Sequence, residues 1–202
     1  NLHRTPFSGR NFEYYSEDST LSYLLGASQT AAMQAQGVNA AIKHFCANDQ
    51  ETNRAGLCVF MTEQTFRQGA LRGFEGAFTK GGALGTMMSF SRLGCTKVYQ
   101  SAATLTGVLR EEWGFQGITI TDSVKGENDV NTVACLVAGT DTFNADPNRS
   151  SEVLKYLVTN KDGYVLKCLR EANKRFYFAM ANSNLMNGLT KDTVVSDFVP
   201  WW

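Results

Sequence analysis

The sequence has no excess of either charge: 19 Lys and Arg stand against 19 Asp and Glu. Nucleic acids and anionic membranes select a basic surplus, so neither is an expected partner, and small neutral ligands fit better. Histidine is scarce, with His3 and His44 far apart in the chain. None of the five cysteines (Cys46, Cys58, Cys95, Cys135 and Cys168) sits at a C-x-x-C spacing. A metal centre is therefore not expected, and no organic cofactor is called for. The odd number of thiols, most of them in apolar runs, favours a reducing, cytoplasmic compartment. No apolar stretch approaches the roughly 18 residues of a membrane span, and no secretory leader is visible. Asn1 is not an initiator residue, so the missing leader carries little weight. Internal repeats and low-complexity linkers are absent too.

What the sequence does have is enough apolar material for a core, 43% of 202 residues, in a recurring order. Short β-type runs at 38–46 (VNAAIKHFC), 83–90 (ALGTMMSF), 117–122 (GITITD) and 140–144 (TDTFN) read as buried strands. Helical patterns lie between them. One covers 21–36. A second covers 62–79, with Phe66, Ala70, Phe74 and Phe78 on one face. A third covers 98–113, repeating Val98, Ala102, Leu105 and Leu109. Two more are expected over 128–138 and 150–183, the latter broken near Lys161-Asp162-Gly163. The head, NLHRTPF, reads as a strand end running into a loop that carries Arg10, which makes five strands. Alternating βα units imply a parallel sheet and the α/β class. A closed barrel of this kind needs eight strands and about 250 residues. The expectation is thus a partial (β/α)8 barrel of about five βα units.

In such folds ligands bind at the carboxyl ends of the strands. Polar residues collect there: Lys43 and His44 with the loop Asn48 to Arg54, Met87 and Phe90 after the next strand, Asp122 after GITIT, and Arg10 after the head. Each has a plainer alternative. The Lys-His pair could be a surface charge beside a satisfied histidine, Asp122 could cap the next helix, and Arg10 could simply pair with Glu13 or Glu17. Their convergence on one face argues for a site. A strand-end carboxylate can attack an anomeric carbon through an oxocarbenium-like transition state. Cationic neighbours would bind sugar hydroxyls and keep it ionised, and Met and aromatic side chains would wall the pyranose.

At these residues the sequence resembles glycoside hydrolase family 3. RTPFSGRNFEYYSED (4–18) is similar to the family's R-x-P-x-x-G-R-x-x-E-x-x-S-E-D. IKHFCANDQETNR (42–54) is similar to K-H-F-x-x-N-x-Q-E-x-x-R. REEWGFQGITITDS (110–123) is similar to the segment that carries the nucleophile. The resemblance implies a retaining, β-glucosidase-like hydrolase with Asp122 as nucleophile. It makes Arg10, Lys43, His44, Arg54, Met87 and Phe90 substrate-binding residues, and permits strained or cis backbone at Lys-His-Phe. The substrate would be a saccharide or aryl glycoside.

Residues 1–202 would form part of one catalytic barrel, with its first strands and the acid/base-bearing second domain supplied by the rest of the enzyme or by a partner chain. Alone, the piece would be inactive. Ser123 stands where many β-glucosidases have Trp, and Phe90 where the family often has Tyr, so the sugar pocket is altered there. The related β-N-acetylhexosaminidases carry K-H-F-P-G-H-G, whereas Cys46-Ala47-Asn48-Asp49 follows Lys-His-Phe here. A β-xylosidase or α-arabinosidase of the same family, or a non-catalytic sugar-binding barrel derived from it, is the alternative.

Overall fold

The computed structural model describes residues 1–124, 130–186, 188 and 190–194. After a 3-10 turn at Asn11–Glu13, the elements run α1 (Ser19–Ala35), β1 (Ala41–Phe45) and β2 (Cys58–Val59). Next comes a continuous helix, α2, built from Glu63–Thr65, a π-helical stretch Phe66–Leu71, and Arg72–Thr79. Then follow β3 (Gly85–Met88), β4 (Arg92–Leu93), β5 (Thr96–Lys97), a 3-10 turn at Val98–Gln100 and the π-wound helix α3 (Ala103–Glu112). The remainder is β6 (Ile118–Ser123), α4 (Thr132–Ala138), β7 (Thr142–Asn144), α5 (Asn148–Asn160) and α6 (Gly163–Ala181).

Four strands form one parallel sheet in the order β1-β3-β6-β7. The sheet is open. The expected fifth strand at the head is absent: its backbone is engaged elsewhere, with His3 N donating to Ser16 O (3.1 Å) and Ser8 N turning back to Thr5 O (3.3 Å). Phe7, 89% exposed, shows that this segment lies on the surface rather than in a ladder. The long helix expected over 150–183 is two helices. They are divided at Lys161, which is left-handed (φ 50°), and restarted by Asp162, whose carboxylate accepts from Tyr164 N and Val165 N. Of the helix expected over 128–138, the first two residues lie outside those described. The rest starts at Thr132, where the Asn131 side chain accepts from Ala134 N (2.9 Å). In the 98–113 stretch, extended backbone at Ser101 splits the pattern, so Thr104, Leu105, Val108 and Leu109 face the core and Ala102 does not.

Side-chain alternation gives the sheet two unlike faces. Thr86, Met88, Thr119 and Thr121 are fully buried against the helices. There Phe45, Leu71, Phe74, Phe78, Val98, Leu105 and Leu109 form the main core. Phe78 stacks on Trp113 (centroids 5.8 Å apart) and meets Phe115 edge-on at 5.2 Å. The opposite face, bearing Met87, Ile118, Ile120 and Thr142, is only half-covered. Helices α1 and α2 pack tightly through Gly76, where a Cβ would meet the Tyr23 carbonyl oxygen at 2.2 Å.

Two features hold the site-bearing strands. Asp141, at the foot of β7, has its side chain 1% exposed and accepts from Arg110 (2.8 Å), Arg175 (2.9 Å) and Thr119 N (2.9 Å). It ties β6 to α3 and α6 three residues before Asp122. A small sheet, β2-β4-β5, was not foreseen because its strands are two residues long. It anchors the loop after β1: Ala55 O accepts from both Arg92 and Lys97 at 2.9 Å.

Candidate active site

The end of β6 carries Asp122, 8% exposed. Alternation places it on the half-covered face with Ile118 and Ile120, and Met87 lies on that face of the neighbouring strand. Oδ1 accepts from the adjacent Ser123 N (2.7 Å). Oδ2 is buried and accepts no hydrogen bond from the described residues. The next described helix is capped by Asn131, so Asp122 caps none of those described.

Around Oδ2 stand groups brought from distant sequence. His44 Nε2 is 3.4 Å away and Arg54 Nη1 is 3.5 Å away. His44, 3% exposed, comes from β1, where the Lys43–His44 and Phe45–Cys46 peptide bonds are cis. Burial, followed by the charges of Arg10, Lys43 and Arg54, lowers its pKa to about 3. It is therefore a neutral ring at ordinary pH, and its approach to Asp122 is not an ion pair. Nε2 also lies 3.5 Å from Arg10 Nη1. It can accept from that guanidinium or donate to the carboxylate, depending on the tautomer, but not both. Nδ1 is buried without a partner among the described residues.

Arg10 reaches this cluster from the 3-10 turn region and pairs through Nε with Glu13, one of the two partners the plainer reading allowed. Lys43 Nζ binds the other Glu13 oxygen at 3.0 Å. Burial by itself would raise the Glu13 pKa, but hydrogen bonds from Arg10 and Lys43 pull it below the ordinary range. Arg54 lies over the Phe90 ring, 4.7 Å from its centroid. Its Nε is 3.4 Å from Glu51, which also accepts from Asn48 Nδ2 at 2.9 Å.

The structure thus brings Arg10, Lys43, His44, Arg54, Phe90 and Asp122 into one connected cluster, with Met87 on the same sheet face as Asp122. Glu51 links the two arginines, 3.8 Å from Arg10 Nη1 and 3.4 Å from Arg54 Nε, the anchoring role that the family resemblance implies for it. A cavity of about 640 Å³ lined by Phe60, Met61, Leu71, Leu93 and Val108 contains none of these groups. A second, of about 420 Å³, includes Glu13 and Lys43 in its lining. The chemistry sits on the open sheet face rather than in either void. Among the described residues three cations and three carboxylates meet there.

Among curated proteins, a β-glucosidase of Ruminococcus albus is 40% identical over 129 residues, which is 64% of this chain and 14% of that protein. β-Glucosidase B of Emericella nidulans is 37% identical over 166 residues, 82% of this chain and 19% of its own length. Among solved structures, β-glucosidase 3B from Thermotoga neapolitana in complex with glucose superimposes with a TM-score of 0.84 at 35% identity, covering 93% of this chain and 27% of that one. The chain spans well under a third of the length of each of these relatives. Residues 1–171 match the model of the glycosyl hydrolase family 3 N terminal domain, and the chain belongs to that family.

Proposed function

We propose that this chain supplies the nucleophile-bearing part of a retaining glycoside hydrolase that releases terminal β-D-glucosyl or closely related residues. Asp122 Oδ2 attacks the anomeric carbon as the bond to the leaving oxygen breaks. A general acid protonates that oxygen, and water then hydrolyses the glycosyl-aspartate ester. Arg10, Lys43, His44 and Arg54 bind hydroxyls of the sugar beside the nucleophile, while Met87 and Phe90 form its apolar walls. The observation that carries this reading is the Asp122 carboxylate: buried, with one oxygen that accepts no hydrogen bond from the described residues and stands beside His44 and Arg54. The glucose complex of the Thermotoga relative supports a saccharide as substrate.

Among the described carboxylates of the cluster none suits the general acid, which comes from elsewhere. Glu13 and Glu51 are each tied to two cations, and Glu13 is held below the ordinary carboxylate range, which suits an anchor and not a proton donor. A second domain or partner chain supplies it, and the half-covered sheet face and unpaired edges of β1 and β7 are completed by further strands of the same (β/α) barrel. The test is made in the intact enzyme. Asp122→Asn is expected to lower kcat by several orders of magnitude and to abolish covalent labelling by a 2-deoxy-2-fluoroglycoside, which in the wild type labels the Asp122 peptide. Labelling of any other residue in the wild type contradicts the assignment.

A further inference from the structure

Arg54 is the only one of the three site cations whose charge reaches Asp122 directly in the described contacts, at 3.5 Å from Oδ2. A guanidinium and a carboxylate free to choose close to about 2.7–2.9 Å, commonly through two parallel bonds. Arg54 forms neither with Asp122. It is drawn the other way by Glu51, with Nε 3.4 Å from Oε2 and Nη1 3.5 Å from Oε1, and it rests on the Phe90 ring. Glu51 in turn is fixed from three sides. Asn48 Nδ2 donates to Oε1 (2.9 Å), the Glu51 backbone N–H donates to Ser8 O (3.1 Å), and a Cβ at Gly9 would meet the Glu51 Cγ at 3.2 Å. Gly9 itself is left-handed, with φ 90°.

We propose that Glu51 is a positioning residue that holds Arg54 back from Asp122, leaving Oδ2 open for attack. This rests on Asp122 being the nucleophile. Among the described residues, the charged and titratable groups facing Asp122 are the neutral His44 from β1 and Arg54 from the following loop. Behind them, Arg10 and Lys43 both bind Glu13, and Arg10 Nη1 also lies 3.8 Å from Glu51. Take away the charge of Glu51, and Arg54 keeps a single counter-ion, Asp122. It then closes on the carboxylate, occupies the lone pairs that must reach the sugar, and favours the ionised but less nucleophilic form.

The experiment uses the intact enzyme, wild type and Glu51→Gln. The acid limb of kcat/KM is expected to move to lower pH by up to about one unit. Well above that limb, the rate of inactivation by 2-deoxy-2-fluoro-β-glucosyl fluoride is expected to fall about tenfold. A merely structural loss lowers activity without moving the limb. Glu51→Asp keeps the charge but draws it back by one methylene, so it gives the same shifts in smaller measure and decides the matter if the Gln variant does not fold. A limb that stays or rises, or an inactivation rate within twofold of wild type, overturns the proposal. Mapping the label in the wild type separates the two readings: a label away from Asp122 removes the nucleophile, whereas a label on Asp122 with an unmoved variant removes only the role of Glu51.

Discussion

Asp141→Asn is a substitution for which the structure predicts a large cost outside the site. The carboxylate, with its side chain 1% exposed, accepts from Arg110, Arg175, the Thr119 backbone N–H and the Thr119 hydroxyl. Asparagine keeps the volume but loses the charge and presents donors where two guanidiniums approach. Arg175, with 24% of its side chain exposed, can turn to water. Arg110, at 9%, cannot: it stays among the carbonyls of Phe115, Gly117 and Gly139. Burial already lowers its pKa, and Asp141 is the group that offsets this. Breaking a buried pair from one side costs about 3–5 kcal/mol. At about 2–4 °C per kcal/mol for a domain of this size, the melting temperature should drop by roughly 6–20 °C. Thermal unfolding followed by circular dichroism, wild type beside variant, measures it. Arg175→Gln should cost markedly less, and the double variant should recover part of the loss. A drop under about 2 °C for Asp141→Asn, or an equal effect of Arg175→Gln, refutes the reasoning.

His44 predicts a pH dependence of stability. Its folded pKa, about 3 against 6.5 ordinarily, is depressed, so the unfolded chain binds the extra proton between those values. The contribution is complete above pH 6.5 and is lost as pH falls toward 3. About 2 kcal/mol should vanish between pH 7 and pH 5, read from urea midpoints, and His44→Gln should flatten that slope; an unchanged slope in the variant counts against it. With the general acid supplied from elsewhere, as proposed, the isolated chain of residues 1–202 should not turn over p-nitrophenyl-β-glucoside at ordinary enzyme rates, since loss of such an acid forfeits about 10²–10⁴-fold. A soluble monomer with normal turnover would show that an acid lies within this chain.

The order of elements was legible in the sequence because it depends on local rules. Runs such as ITITD alternate and are β-branched, and the Phe66, Ala70, Phe74, Phe78 spacing repeats every helical turn. Asp18 and Asp162 sit where helices need caps, and each accepts two backbone N–H groups there. The candidate site residues were legible as strand-end polar groups and through the three motif segments that resemble family 3. Other features needed the tertiary structure. The head looked like a strand because its composition allows one, yet a strand exists only where a neighbour offers a ladder, and this segment bonds to Ser16 instead. The two-residue strands of the small sheet carry no periodicity to detect. The distances around Asp122 and the neutral state of His44 arise from burial and from charges dozens of residues apart. Sequence spacing sets which groups each strand delivers; only the packing of those strands sets how near their charges come and how much water is left between them.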